Sequence, residues 1–132
     1  MNFFKRRKIL KKSNFLDLHP VRALSHQLRE DGKVTLLMPR FKNKINATLF
    51  QPPSKDRYIY INLDRFGSLA WLHIDGEKTV SEISKQLMDQ FPDALSSPDE
   101  TDERVTKFLS LLYQQRYVTF REIQVANSLE TK

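Results

Sequence analysis

A chain of 132 residues with 39% hydrophobic content has room for one core of ordinary size, and without cysteine it can build neither a disulfide framework nor a thiolate metal site. Its formal charge of +6 points to a nucleic-acid partner only until the charges are located, because six of the 22 basic residues (Lys5, Arg6, Arg7, Lys8, Lys11 and Lys12) precede the first acid, Asp17. From residue 13 onward 16 basic side chains meet 16 acidic ones, so the body lacks the distributed basic face that displaces counterions from a duplex.

Residues 1–14 read as a basic flexible arm. Lysine returns at position 11, before the roughly 7 to 15 apolar residues of an export signal can accumulate. No later run approaches the roughly 20 apolar residues needed to span a bilayer, and Asn46-Ala47-Thr48 has only the form of a glycosylation acceptor. A cytoplasmic location is the expectation.

Residues 21–29 and 33–39 have β-compatible content and are joined by Glu30-Asp31-Gly32, whose Asp-Gly pair suits a turn with positive φ. They predict a hairpin. Residues 40–56 form a basic connection in which Pro52-Pro53 excludes a continuing helix or a central strand. Residues 57–63 then alternate, with Ile59, Ile61 and Leu63 on one face and Tyr58, Tyr60 and Asn62 on the other, as in a half-buried strand.

Asp64 stands at an N-cap position, and Phe66, Leu69, Ala70 and Ile74 follow at helical spacing until Asp75-Gly76. Thr79-Val80-Ser81-Glu82 has the capping-box form and opens a second helix, with Val80, Ile83, Leu87 and Phe91 on its apolar face and Pro92 closing it. Ser97-Pro98-Asp99-Glu100 repeats the start signal for a third helix, expected to run to about Arg116. Tyr117-Val118-Thr119-Phe120 suits a closing strand, and residues 121–132 read as a polar, frayed tail. The predicted class is α+β: a winged helix-turn-helix with an N-terminal three-stranded antiparallel sheet, three helices and a short C-terminal strand, occupying residues 15–120.

No catalytic constellation emerges from the spacings. His19, His26 and His73 lie apart with no metal-ligand spacing between them, and Gly32, Gly67 and Gly76 are too scattered to cradle a phosphate. Asp99, Glu100, Asp102 and Glu103 cluster at the start of a helix, where negative charge complements the macrodipole. In a DNA-binding transcription regulator of this shape those four carboxylates would face the phosphates, and the connection from Pro92 to Ser97 exceeds the usual turn. No nucleic acid is expected, although such a regulator is the alternative reading. A purely structural subunit of a larger complex is a third.

The strand at residues 57–63 offers a different partner, since it carries no lysine, proline or bulge signal between its ends to blunt an open edge. A guest peptide could pair with it by β-augmentation, with Tyr58 and Tyr60 forming side-chain pockets; equally, those tyrosines could cover another face of the core.

Ile61-Asn62-Leu63-Asp64-Arg65-Phe66-Gly67-Ser68-Leu69-Ala70-Trp71, followed by Ile74-Asp75-Gly76-Glu77-Lys78-Thr79-Val80-Ser81-Glu82-Ile83, resembles the signature of the PqqD family. Residues 109–117 are similar to that family's C-terminal segment, so the resemblance covers about residues 15–120. It implies a recognition element without catalytic residues or cofactor, which binds the leader of a ribosomally made precursor peptide as an added strand. The leader is then delivered to a modifying enzyme, typically a radical S-adenosylmethionine maturase. By this analogy the guest meets Tyr58, Tyr60 and Asn62 on the strand and Arg104, Lys107, Phe108 and Leu111 on the third helix. The basic arm and the connection at residues 40–56 depart from the short founding form, which serves pyrroloquinoline quinone assembly, and a different modified peptide is the expected guest.

Overall fold

The computed structural model describes residues 15–40, 57–91 and 97–130, the last four of these by their backbone alone. The basic arm, the connection after Arg40 with its proline pair and Asn46, and residues 92–96 with Pro92 lie outside the described residues. In chain order a 3-10 turn, Phe15–Asp17, leads into β1 (Pro20–Arg22), β2 (Ser25–Leu28), β3 (Val34–Pro39) and β4 (Tyr58–Asn62). Helices α1 (Arg65–Leu72), α2 (Val80–Gln90) and α3 (Pro98–Gln114) follow, then β5 (Val118–Phe120) and α4 (Arg121–Glu130). The fold is α+β with antiparallel sheets.

Two compact units divide these elements. The first comprises Leu24–Ser68 and the second the described residues up to Ala23 and from Leu69 onward. In the first, β2, β3 and β4 form a sheet in that order. The hairpin turn is the one expected: Gly32 has φ +84°, its amide donates to Arg29 O, and Asp31 Oδ1 accepts from the Lys33 amide. Val34 and Leu36 are fully buried on the face of β3 that the register aligns with Leu63 and Ile61. Asp64 caps α1, its Oδ1 accepting from the Gly67 amide at 2.7 Å.

The other unit corrects two expectations. Residues 21–29 are not one strand: β1 leaves the hairpin and pairs antiparallel with β5, Val21 opposite Thr119, to make a separate two-stranded sheet. The break comes at Ala23, whose amide donates to Tyr117 O. Strand partners lying some hundred residues apart decide it, and local β-compatibility carries no trace of them. Nor do residues 121–130 fray. They form α4, fastened where the Arg121 amide donates to His19 O and where Ile123 is buried. Of the apolar residues here Ile123 is buried while Val125 is 54% exposed, so the described side chains carry no clean helical stripe to read.

The three expected helices stand with their caps. The Thr79 hydroxyl and the Glu82 carboxylate each accept from the other residue's amide, which completes the capping box of α2. The Ser97 hydroxyl accepts from the Glu100 amide at 3.1 Å with Pro98 at N1, and the buried stripe of α3 is Thr101, Val105, Leu109 and Leu112. Its end falls at Gln114 because Arg116 adopts φ +66°. The Arg116 amide then donates to Tyr113 O and the Tyr117 amide to Leu112 O, the two bonds of a Schellman motif. Trp71, Ile74, Ile83, Leu87 and Phe120 are fully buried in this unit.

Candidate functional site

Among the described residues β4 is paired on one flank only, by β3. The bonds beyond its two ends fix which way its peptide groups point. At one end the Leu63 amide donates to Val34 O, and at the other the Arg40 amide donates to Arg57 O, each at 2.9 Å. Hydrogen-bonded pairs alternate along an antiparallel ladder, so Arg57, Ile59, Ile61 and Leu63 direct their backbone groups toward β3. The N–H and C=O of Tyr58, Tyr60 and Asn62 therefore point away from the sheet, on a flank with no strand against it among the described residues.

The side chains differ from the expected half-buried alternation. Tyr58, Ile59 and Tyr60 keep 38%, 41% and 48% of their surface exposed, and Ile61 is half-buried. A strand with one open flank leaves even its inward-facing residues partly uncovered, which is why Ile59 is no better hidden than its neighbours. Three consecutive large exposed residues on an unpaired edge are what soluble proteins ordinarily avoid.

Sequence reasoning missed the groups that hold this edge. Ser68, 2% exposed, accepts from the Val34 amide at 2.8 Å and donates to Leu63 O, while the Arg29 guanidinium donates to the same carbonyl at 2.6 Å. The Thr35 hydroxyl donates to Asn62 Oδ1 at 2.7 Å, which holds Asn62 across the ladder. Except for the bond from Ser68 to Leu63, five residues apart, these contacts join residues 27 to 34 positions apart. Only the strand register reveals them, and residues 40–56 between the two strands carry no signal that fixes that register.

On α3, Arg104, Lys107 and Leu111 are exposed, Leu111 at 54%, and Phe108 is half-buried. Their spacing puts them on the flank beside the buried stripe. Lys107 pairs with Glu103 at 3.0 Å. They share a helix face with one another; Tyr58, Tyr60 and Asn62 belong to the sheet unit.

Several ionisable groups away from these positions are engaged in structure. Arg22 donates to Trp71 O and Leu72 O, so it caps α1, and burial lowers its pKa against the opposing effect of Asp75. Burial tends to raise the Asp75 carboxyl, yet the amides of Lys78 and Glu77 and the Lys78 ammonium leave it below its ordinary value. The Glu82 carboxyl is held down by its bonds from Thr79. At Glu122 burial again works upward but is outweighed by bonds from His19, whose amide meets Oε1 at 2.8 Å and whose Nδ1 lies 2.5 Å from Oε2. Of the histidines, His73 meets Gln90 Oε1 at 2.9 Å. Among the described residues no three histidine, aspartate or glutamate side chains gather as a metal site, and no helix is long and apolar enough to cross a membrane.

What the site offers is an open, hydrophobic sheet edge in a small α+β protein. The chain belongs to the PqqD family, described as coenzyme PQQ synthesis protein D, which it matches over residues 52–118, just over half its length. That span begins before β4 and ends at the start of β5, and is narrower than the resemblance at residues 15–120. No curated protein and no solved structure matches the chain.

Proposed function

We propose that this protein is a non-catalytic, cytoplasmic adaptor that captures the leader of a ribosomally synthesised precursor peptide as an added strand on β4 and presents it to a modifying enzyme. The carrying observation is the edge itself: outward N–H and C=O groups at Tyr58, Tyr60 and Asn62, flanked by exposed apolar side chains. Strand addition draws affinity from such main-chain groups and specificity from alternate side chains. Membership of a coenzyme-synthesis family supports the assignment, and the family's typical partner, a radical S-adenosylmethionine maturase, is the enzyme proposed.

In this reading residues 15–120 act as a winged helix-turn-helix recognition domain, residues 1–14 as a basic arm and residues 121–132 as an appendage. Arg104, Lys107, Phe108 and Leu111 are the proposed guest contacts on α3. The guest is a modified peptide other than the quinone precursor. Titration of a fluorescent leader peptide, taken from a precursor encoded beside the protein, tests the reading; a dissociation constant on the order of micromolar or tighter is expected. Failure of every such leader to bind would remove it.

A further inference from the structure

At the start of β4 two arginines stand on one face of the sheet with no counter-charge among the described residues. The Arg40 amide donates to Arg57 O at 2.9 Å and so extends the β3–β4 register one pair beyond Pro39 and Tyr58. Directly opposed residues share a face with Cβ atoms about 4.5–5.5 Å apart, and like charges placed there repel. Both residues are exposed, and neither joins an ion pair among the described residues. The sequence connecting them adds three lysines and one acid. Like charges opposed in this way weaken the end of a ladder, and a carboxylate held in both planar forks would offset that repulsion.

We infer, building on the strand-addition reading above, that Arg40 and Arg57 form a carboxylate clamp selecting guest strands with an aspartate or glutamate beside Arg57. The register supplies the rest of the pattern. Arg57 shares its sheet face with Ile59 and Ile61, so a guest strand that sets its acid beside Arg57 sets the residues two and four positions away beside those isoleucines. Ile59 keeps 41% of its surface exposed for such a neighbour. The guest is therefore an acid and two apolar residues at alternate positions, with the acid first in a parallel guest and last in an antiparallel one.

The test selects binders from a displayed library of random ten-residue peptides on the full chain, on the R40A/R57A double variant and on Tyr60→Pro. Enrichment of an acid at the end of an apolar alternation is expected with the wild type and lost with the double variant. A selected peptide should bind the double variant at least fivefold more weakly, with the gap shrinking at high salt. The double variant should melt no lower than wild type, because it removes a repulsion. Acid-free binders, or acidic binders indifferent to the double variant, overturn the clamp while leaving strand addition intact, provided Tyr60→Pro still loses them. If no peptide is enriched above Tyr60→Pro, the strand reading falls as well. Retention of a labelled oligonucleotide that depends on the pair, without acidic enrichment, would reassign it to a phosphate backbone and likewise overturn the proposal.

Discussion

The Leu63 amide donates to the Val34 carbonyl at 2.9 Å, and this bond sets the parity of every peptide group along β4. It makes Tyr60 an outward donor and Ile59 an inward one. Tyr60→Pro deletes an N–H that serves no internal bond among the described residues, and proline is tolerated on an edge whose N–H faces away from the sheet. Guest binding should fall at least tenfold while the fold survives. Ile59→Pro instead breaks the bond to β3 and should cost about 2–3 kcal/mol of stability. Chemical denaturation alongside peptide titration separates the two, and equal loss of binding with equal unfolding from both would refute the assigned parity.

How much of this was legible beforehand depended on whether the cause was local. The caps at Asp64, Thr79 and Ser97 and the turn at Gly32 were readable because each is settled within three residues. The alternation of β4 gave its faces, but not its openness, since exposure depends on what lies beside the strand. The split of residues 21–29 and the docking of α4 were hidden because Tyr117 and Glu122, which fix them, lie about a hundred residues from Ala23 and His19. Tyr58, Tyr60 and Asn62 could be placed on one face of β4 from their alternation; Ser68 and Arg29, which hold the strand, could not.

Ser68→Ala should loosen that hold. It leaves the Val34 amide without its acceptor in a buried setting, at a cost of about 1–3 kcal/mol. Amide exchange should accelerate at Val34 and at Leu63, the end of the β3–β4 ladder, before it does so in α3. Uniform acceleration across the chain would show that Ser68 contributes only to global stability.

The attachment of α4 should weaken in acid. Because the folded Glu122 carboxyl lies below its ordinary value, its contribution is present above the unfolded pKa of about 4.3 and is lost as pH falls through the folded one. Glu122→Gln removes this titration. The wild-type melting temperature should therefore fall relative to that of the variant on acidification below about pH 5, and parallel curves would exclude the effect.

Four carboxylates, Asp99, Glu100, Asp102 and Glu103, occupy the opening turns of α3, with Asp102 accepting from the Ser84 hydroxyl and Glu103 paired with Lys107. A recognition helix entering a major groove leads with that end. A chain lacking residues 1–12 should show no salt-dependent retention of duplex DNA, measured by mobility shift between about 50 and 200 mM salt. Retention by that truncated chain would restore the transcription-regulator reading.

Arg116 occupies the left-handed position that ends α3, where a side chain with a β-carbon is strained and glycine is favoured. Both Schellman bonds are backbone bonds, to Tyr113 O and Leu112 O, so replacing the side chain leaves them intact. Arg116 is exposed and joins no ion pair among the described residues. Arg116→Gly should therefore relieve strain without losing a contact, and the greater freedom of glycine in the unfolded chain returns part of that gain. A net stabilisation of up to about 1 kcal/mol is expected, read as a higher denaturant midpoint at unchanged slope. Destabilisation would mean that the arginine side chain, and not the backbone turn, holds the exit from α3 into β5.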